Sequence, residues 1–76
     1  MAEGFPPMSA IESTMISSAG YDADAQALYL RYVKGGVYRY DAVPQGVWAG
    51  LHDAESAGTY LRQHVLGTYR FQKVEE

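Results

Sequence analysis

A chain of 76 residues without cysteine makes one domain with no disulfide and no thiolate chemistry. At this size it buries only about 60–65% of its unfolded surface, so its stability margin is thin. A hydrophobic content of 47% excludes intrinsic disorder for the body, and no apolar run approaches the ~20 residues of a membrane span. The formal charge of −3 speaks against a strongly cationic nucleic-acid binder, yet Glu3, Glu12, Glu75 and Glu76 lie in the two ends. From Ser13 to Val74 six Lys or Arg stand against five Asp or Glu, which leaves the body near neutrality.

Residues 1–10, with Gly4, Pro6 and Pro7, read as a disordered lead-in. The start has neither a basic n-region nor an apolar h-region, so it is not read as a signal peptide; a cytoplasmic setting is the expectation. Residues 15–21 read as a first strand, in which Gly20 marks a bulge or a close backbone approach. Asp22-Ala23-Asp24 is a turn, because short polar side chains satisfy nearby backbone groups there.

Residues 27–33 and 36–41 follow as a β-hairpin rich in aromatic and β-branched side chains. Alternation places Leu28, Leu30 and Tyr32 on one face of its first strand and Tyr29, Arg31 and Val33 on the other. Loop length decides which sets meet across the hairpin. A two-residue Gly35-Gly36 loop would set Arg39 on the face of Leu30. A loop at residues 34–36 would set Arg31 directly against Arg39. A three-residue loop at residues 33–35, with Gly35 at positive φ, pairs Leu30 with Tyr38 and Leu28 with Tyr40. It leaves one face uncharged, and it is the register chosen here.

Pro44 then suits the first position of a helix. Val47, Trp48, Leu51 and Ala54 make its apolar stripe. Gly46 and Gly50 cost that helix roughly 1 kcal/mol each against alanine, so packing must hold it. Ser56 has the chemistry of an N-cap for a second helix, with Ala57, Tyr60, Leu61 and Val65 on its apolar side and Gly67 as a terminator. Residues 69–74 alternate and suit a short last strand. The expected fold is therefore α+β: a three-stranded antiparallel β-meander, then a two-helix hairpin packed on one sheet face, with an optional C-terminal strand. One domain spans residues 11–74, and residues 75–76 form an acidic end. Trp48, Leu51 and Tyr60 are expected over Leu28, Leu30 and Tyr40, with Trp48 as the central core residue.

A set of residues in fixed order carries a resemblance. Ile11-Glu12-Ser13-Thr14 is followed by Ile16, then by Gly20-Tyr21-Asp22. Tyr38-Arg39-Tyr40 comes next, with Val43-Pro44, Ala54-Glu55-Ser56-Ala57-Gly58, Tyr60 and Tyr69. Together they resemble the KTSC domain, a small module named for its occurrence at the C-terminus of some lysyl-tRNA synthetases and also found alone in small bacterial and phage proteins. The resemblance makes Gly20, Tyr21, Asp22, Tyr38, Tyr40, Pro44, Ser56 and Gly58 the family's structural motif. The synthetase fusion is the basis on which RNA binding is suggested for the family, which is association rather than mechanism. This chain departs from the pattern at Leu61-Arg62, where the family often has Phe-Asn, and at Leu66, where it often has arginine. Any ligand contact made by those polar residues in relatives is missing here.

Two surfaces have the chemistry of single-strand recognition. Tyr38 and Tyr40 suit base stacking on a sheet; core packing under the helices is the plainer reading. Tyr29, Arg31 and Arg39, with Val37, put aromatic and basic groups together on the opposite face, as a phosphate-and-base surface needs. The plainer reading there is an exposed cation–π pair of Arg39 on Tyr29. His52 and His64 lack the company a metal site requires and read as solvent-facing helix residues. No nucleophile signature, phosphate loop or convergent titratable cluster appears, so no catalytic residue, metal or cofactor is expected. The chain reads as a small non-catalytic binding module, with weak RNA binding through Tyr29, Arg31 and Arg39 as one expectation. A protein partner or homodimer is the other, and no membrane association is expected.

Overall fold

A computed structural model describes residues 6–75. Five strands and two helices follow in the order β1 (Ser9–Ala10), β2 (Ile16–Asp22), β3 (Ala27–Tyr32), β4 (Val37–Tyr40), α1 (Gln45–Asp53), α2 (Ala57–His64) and β5 (Phe71–Glu75). The strands lie in one antiparallel sheet in sequence order, β1-β2-β3-β4-β5. The α+β class, the central meander and the helix pair agree with the sequence reading; β5 takes up the optional C-terminal strand, and β1 is a strand the reading did not have. Residues 9–10, assigned above to the lead-in, pair with Ala19 and Ser18, while residues 1–5 of that lead-in lie outside the described residues. Glu75, assigned to an acidic end, is the last residue of β5 and pairs with Val37.

The hairpin has the chosen register. Leu28 faces Tyr40, and Leu30 faces Tyr38. The Tyr32 amide donates to the Gly36 carbonyl at 3.0 Å, closing a loop over residues 33–35. Gly35 has φ +118° and Gly36 φ +90°, conformations that a Cβ opposes. Nothing lies within 4 Å of the place a Cβ would take at Gly35, so a substitution there acts through the backbone alone. Gly35→Val is expected to lower stability by about 1–2 kcal/mol, read as a shift of the urea midpoint at unchanged slope.

One face of the sheet carries the main core. Ile16, Ala19, Leu28, Leu30 and Tyr40 meet Val43, Leu51, Leu61 and Val65 from the helical side, all of them buried. Ser56 caps α2 through its hydroxyl, which accepts from the Thr59 amide at 3.3 Å. Gly67 turns the chain at φ +82°. Pro44 serves as the N-cap of α1, with φ −64° and ψ 151°, one position before the place predicted for it. Its extended ψ keeps it outside the helix, although its φ would suit either position.

Trp48 is not central. It is half-buried at the rim, stacked on Tyr21 with ring centroids 5.8 Å apart and planes 12° from parallel. The Tyr21 hydroxyl donates to the carbonyl of Val43, just before α1, at 2.6 Å. Tyr60 of α2 lies against α1 at Gly50. A Cβ at that position would collide with the Tyr60 hydroxyl and stand 2.9 Å from Cζ of its ring, and the same hydroxyl donates to the Val47 carbonyl at 2.9 Å.

Candidate functional site

The opposite face of the sheet holds the three residues predicted to contact RNA, and it is not an open platform. Tyr29 is only 8% exposed. It belongs to a second apolar cluster with Ala27 and Val37, against which Met8 and Val74 pack. The cause lies in the lead-in. Gly20 is Tyr29's neighbour on β2, and a Cβ on Gly20 would stand 2.7 Å from the Pro7 carbonyl and 2.8 Å from the Met8 sulfur. The bare glycine lets residues 6–8 cross the sheet there and cover the tyrosine. Gly20 was singled out as a bulge or a close approach; it is the approach, while the irregular pairing falls between Ile16 and Ser18.

The two arginines of that face each have an acidic partner. Arg31 reaches Glu75 at 3.3 Å, and Arg39 reaches Asp41 at 3.1 Å. The guanidinium of Arg39 is held above its ordinary pKa first by a hydrogen bond with the Tyr29 hydroxyl and then by the charge of Asp41. These are solvent-screened surface pairs that add little to stability. Their consequence is local neutrality, and a phosphate would have to displace a carboxylate from each. Tyr29, Arg31 and Arg39 therefore share a face, as predicted, without forming a stacking surface.

The helices leave part of the core face open at the hairpin-tip end. A groove of about 420 Å³ is lined there by Tyr32, Lys34, Tyr38, Tyr40, Leu66 and Phe71, with Gly35 and Gly67 at its turns. β5 builds one wall. Pairing with β4 sets Phe71 beside Tyr40 and Lys73 beside Tyr38, and Phe71 is left 56% exposed. The rings form a continuous set. Tyr32 meets Tyr38 edge to face at 5.1 Å, and Phe71 lies 5.9 Å from Tyr38 and 5.4 Å from Tyr40. The Lys73 ammonium sits 5.9 Å above the Tyr38 ring. The Tyr32 and Tyr40 hydroxyls are 2.7 Å apart. Burial, and then the bond with Tyr32, push the Tyr40 phenol far up, so it stays neutral.

Of the family-motif residues, Tyr38 and Tyr40 enter this groove, and the other six serve the frame. Gly20 admits the lead-in and Tyr21 props α1. Asp22 accepts from the amides of Asp24 and Ala25 at 3.1 and 3.3 Å, and Pro44 and Ser56 start the helices. A Cβ on Gly58 would come within 3.3 Å of the Ser13 hydroxyl. Phe71 and Lys34 were missed as site residues, Phe71 because nothing in the sequence says which strand β5 joins. The one available signal was the alternation of residues 69–74. His52 and His64 are exposed, each against an aromatic ring, Trp48 and Tyr60 respectively. Among the described residues no group of three His, Asp or Glu is placed to hold a metal, and no helix is long and apolar enough to cross a membrane.

A family model and a solved structure both point to one family. The KTSC domain model matches residues 12–75. A crystal structure of a KTSC domain protein from Yersinia pestis superposes with a TM-score of 0.87 at 26% identity, covering 90% of this chain and 96% of its own. An uncharacterised protein of Stutzerimonas stutzeri is 39% identical over 54 residues, 71% of this chain and 76% of that one. A protein of Tsukamurella paurometabola is 40% identical over 63 residues, 83% of this chain and 94% of that one. With the matched segment running from the residues before β2 to the last residue of β5, the chain belongs to the KTSC domain family.

Proposed function

We propose that this protein is a small non-catalytic binding module for single-stranded or looped RNA, and that the aromatic groove between β4, β5 and the α2–β5 turn takes the bases. The observation that carries the reading is a strand-built row of half-exposed rings, Tyr32, Tyr38 and Phe71, which the helices do not cover. Rings on a sheet stack unpaired bases irrespective of sequence, at about 1–3 kcal/mol per base. Lys34 lines the groove and Lys73 stands over Tyr38, which brings positive charge to the rim. The face of Tyr29, Arg31 and Arg39 gives way in this reading, because its tyrosine is covered and its arginines are engaged by Asp41 and Glu75.

With a body near neutrality, binding rests on stacking more than on phosphate contacts. Two or three such contacts give a log–log salt slope of only about −1.5 to −2. Fluorescence anisotropy with short labelled RNAs at low salt tests the reading. Phe71→Ala is expected to weaken binding about tenfold or more, by loss of one stacked base, with the fold retained because the side chain is largely exposed. Leu66→Arg is expected to strengthen binding and to steepen the salt slope by about 0.7, one phosphate on a single strand. Tyr29→Ala and Arg39→Ala should leave affinity unchanged where the fold survives. Absence of binding at high micromolar protein would remove RNA and leave a protein partner or homodimer as the ligand of the groove.

A further inference from the structure

The floor of the groove contains a polar pair that base stacking does not require. Tyr32 stands opposite Gly36, and Tyr40 opposite Leu28. Their backbones are four residues apart along the hairpin, about 13 Å at strand rise. The two side chains lean toward each other along the sheet until their hydroxyls meet at 2.7 Å. A phenol has one proton to give and two lone pairs to accept with, so one of the two O–H groups is used inside the pair and the other is not. Burial decides which. Tyr40 is 3% exposed, and its hydroxyl has Tyr32 as its hydrogen-bond partner. Tyr32 is half-exposed and lines the groove. The arrangement that leaves no buried donor unsatisfied has Tyr40 donate to Tyr32 and Tyr32 aim its own O–H into the groove.

We infer that the Tyr32 hydroxyl reads the edge of the stacked base and selects a keto base, uracil or guanine, over an amino base. This deepens the RNA reading above and rests on it. Among the donors of the groove, which include the Tyr38 hydroxyl and the flexible Lys34 ammonium, the Tyr32 hydroxyl is the one fixed by a second hydroxyl. Uracil O4 and guanine O6 accept at that point, whereas cytosine N4 and adenine N6 present a donor instead. An amino group at that point meets the donating side of the hydroxyl and can reach only its remaining lone pair, which makes the poorer hydrogen bond and is a source of discrimination.

Uracil and cytosine provide the cleanest contrast, since they are alike in size and differ at C4. Oligouridylate is expected to bind the parent protein about three- to tenfold more tightly than oligocytidylate, the range one net hydrogen bond supplies. Tyr32→Phe should bring the two affinities together, and Phe71→Ala should weaken both in proportion. An oligomer of the pyrimidin-2-one nucleoside, which carries no group at C4, serves as the ligand-side control and needs no folded variant. It should bind the parent below oligouridylate, and Tyr32→Phe should erase that gap. Equal affinities for uridylate and cytidylate in the parent, or a difference that survives in Tyr32→Phe, would overturn the base-reading role while leaving RNA binding in place. No binding of any oligomer would overturn both.

Discussion

Gly50→Ala is expected to destabilise the protein by about 2–3 kcal/mol, although alanine is the better helix former by about 1 kcal/mol. The added methyl collides with the Tyr60 hydroxyl and ring. Relief requires Tyr60 to leave its place on α1, and the bond to the Val47 carbonyl leaves with it. The control is the same substitution made in a Tyr60→Ala background. There the methyl has room, and only the propensity gain remains, so Gly50→Ala should become neutral or stabilising. A double-mutant cycle by urea denaturation measures the difference as a coupling of the two sites. Additive effects would show that the helices do not approach at this point.

Leu61→Ala is expected to have the larger effect, about 3–5 kcal/mol. Leu61 is fully buried on α2 amid the core face of the sheet. Total stability for a domain of this size is on the order of 4–11 kcal/mol, so the variant should be partly unfolded at 37 °C. Trp48→Ala should cost less, about 1–2 kcal/mol, since its ring packs at the rim and stacks on Tyr21. Thermal melts of the two variants side by side give the order directly. A Trp48→Ala protein less stable than Leu61→Ala would reject the peripheral placement.

That order reverses what the sequence alone suggests, and the reason is instructive. Trp48 is the largest apolar side chain on α1, and helical spacing puts it in the same stripe as Leu51. Spacing defines a stripe; it does not say how the helix rolls on the sheet. The roll is set by Tyr60 crossing at Gly50 and by Tyr21 reaching Val43, contacts between residues 10 to 22 apart in the chain. The hairpin was legible for the opposite reason. Two of three loop choices kept both arginines off the face of Leu28 and Leu30, and only one of those avoided setting Arg31 against Arg39, so local charge and alternation were sufficient.

The candidate site was legible in part. Tyr38 and Tyr40 stood out by their spacing, and both line the groove. Favouring Tyr29 over them followed from assuming that the face away from the helices is exposed. Pro6, Pro7 and Met8 look like a tail by composition, and nothing local reveals that Gly20 admits them. Phe71 carried no signal until β5 was paired.

The sheet order has a kinetic side. From β1 to β4 each strand lies beside its sequence neighbour, so these pairings close only short loops and carry little chain-entropy cost. β5 alone must wait, since residues 41–70, with both helices, separate it from β4. It should be the last strand to dock as the chain folds and the first to detach in native-state fluctuations. Its amides, those of Phe71 to Glu75, should then exchange with solvent deuterium through openings far smaller than global unfolding, while those of β3 exchange only when the whole domain opens. The wall that Phe71 contributes would be a door on its own hinge, and a ligand held against it should slow the exchange of β5 before that of any other strand.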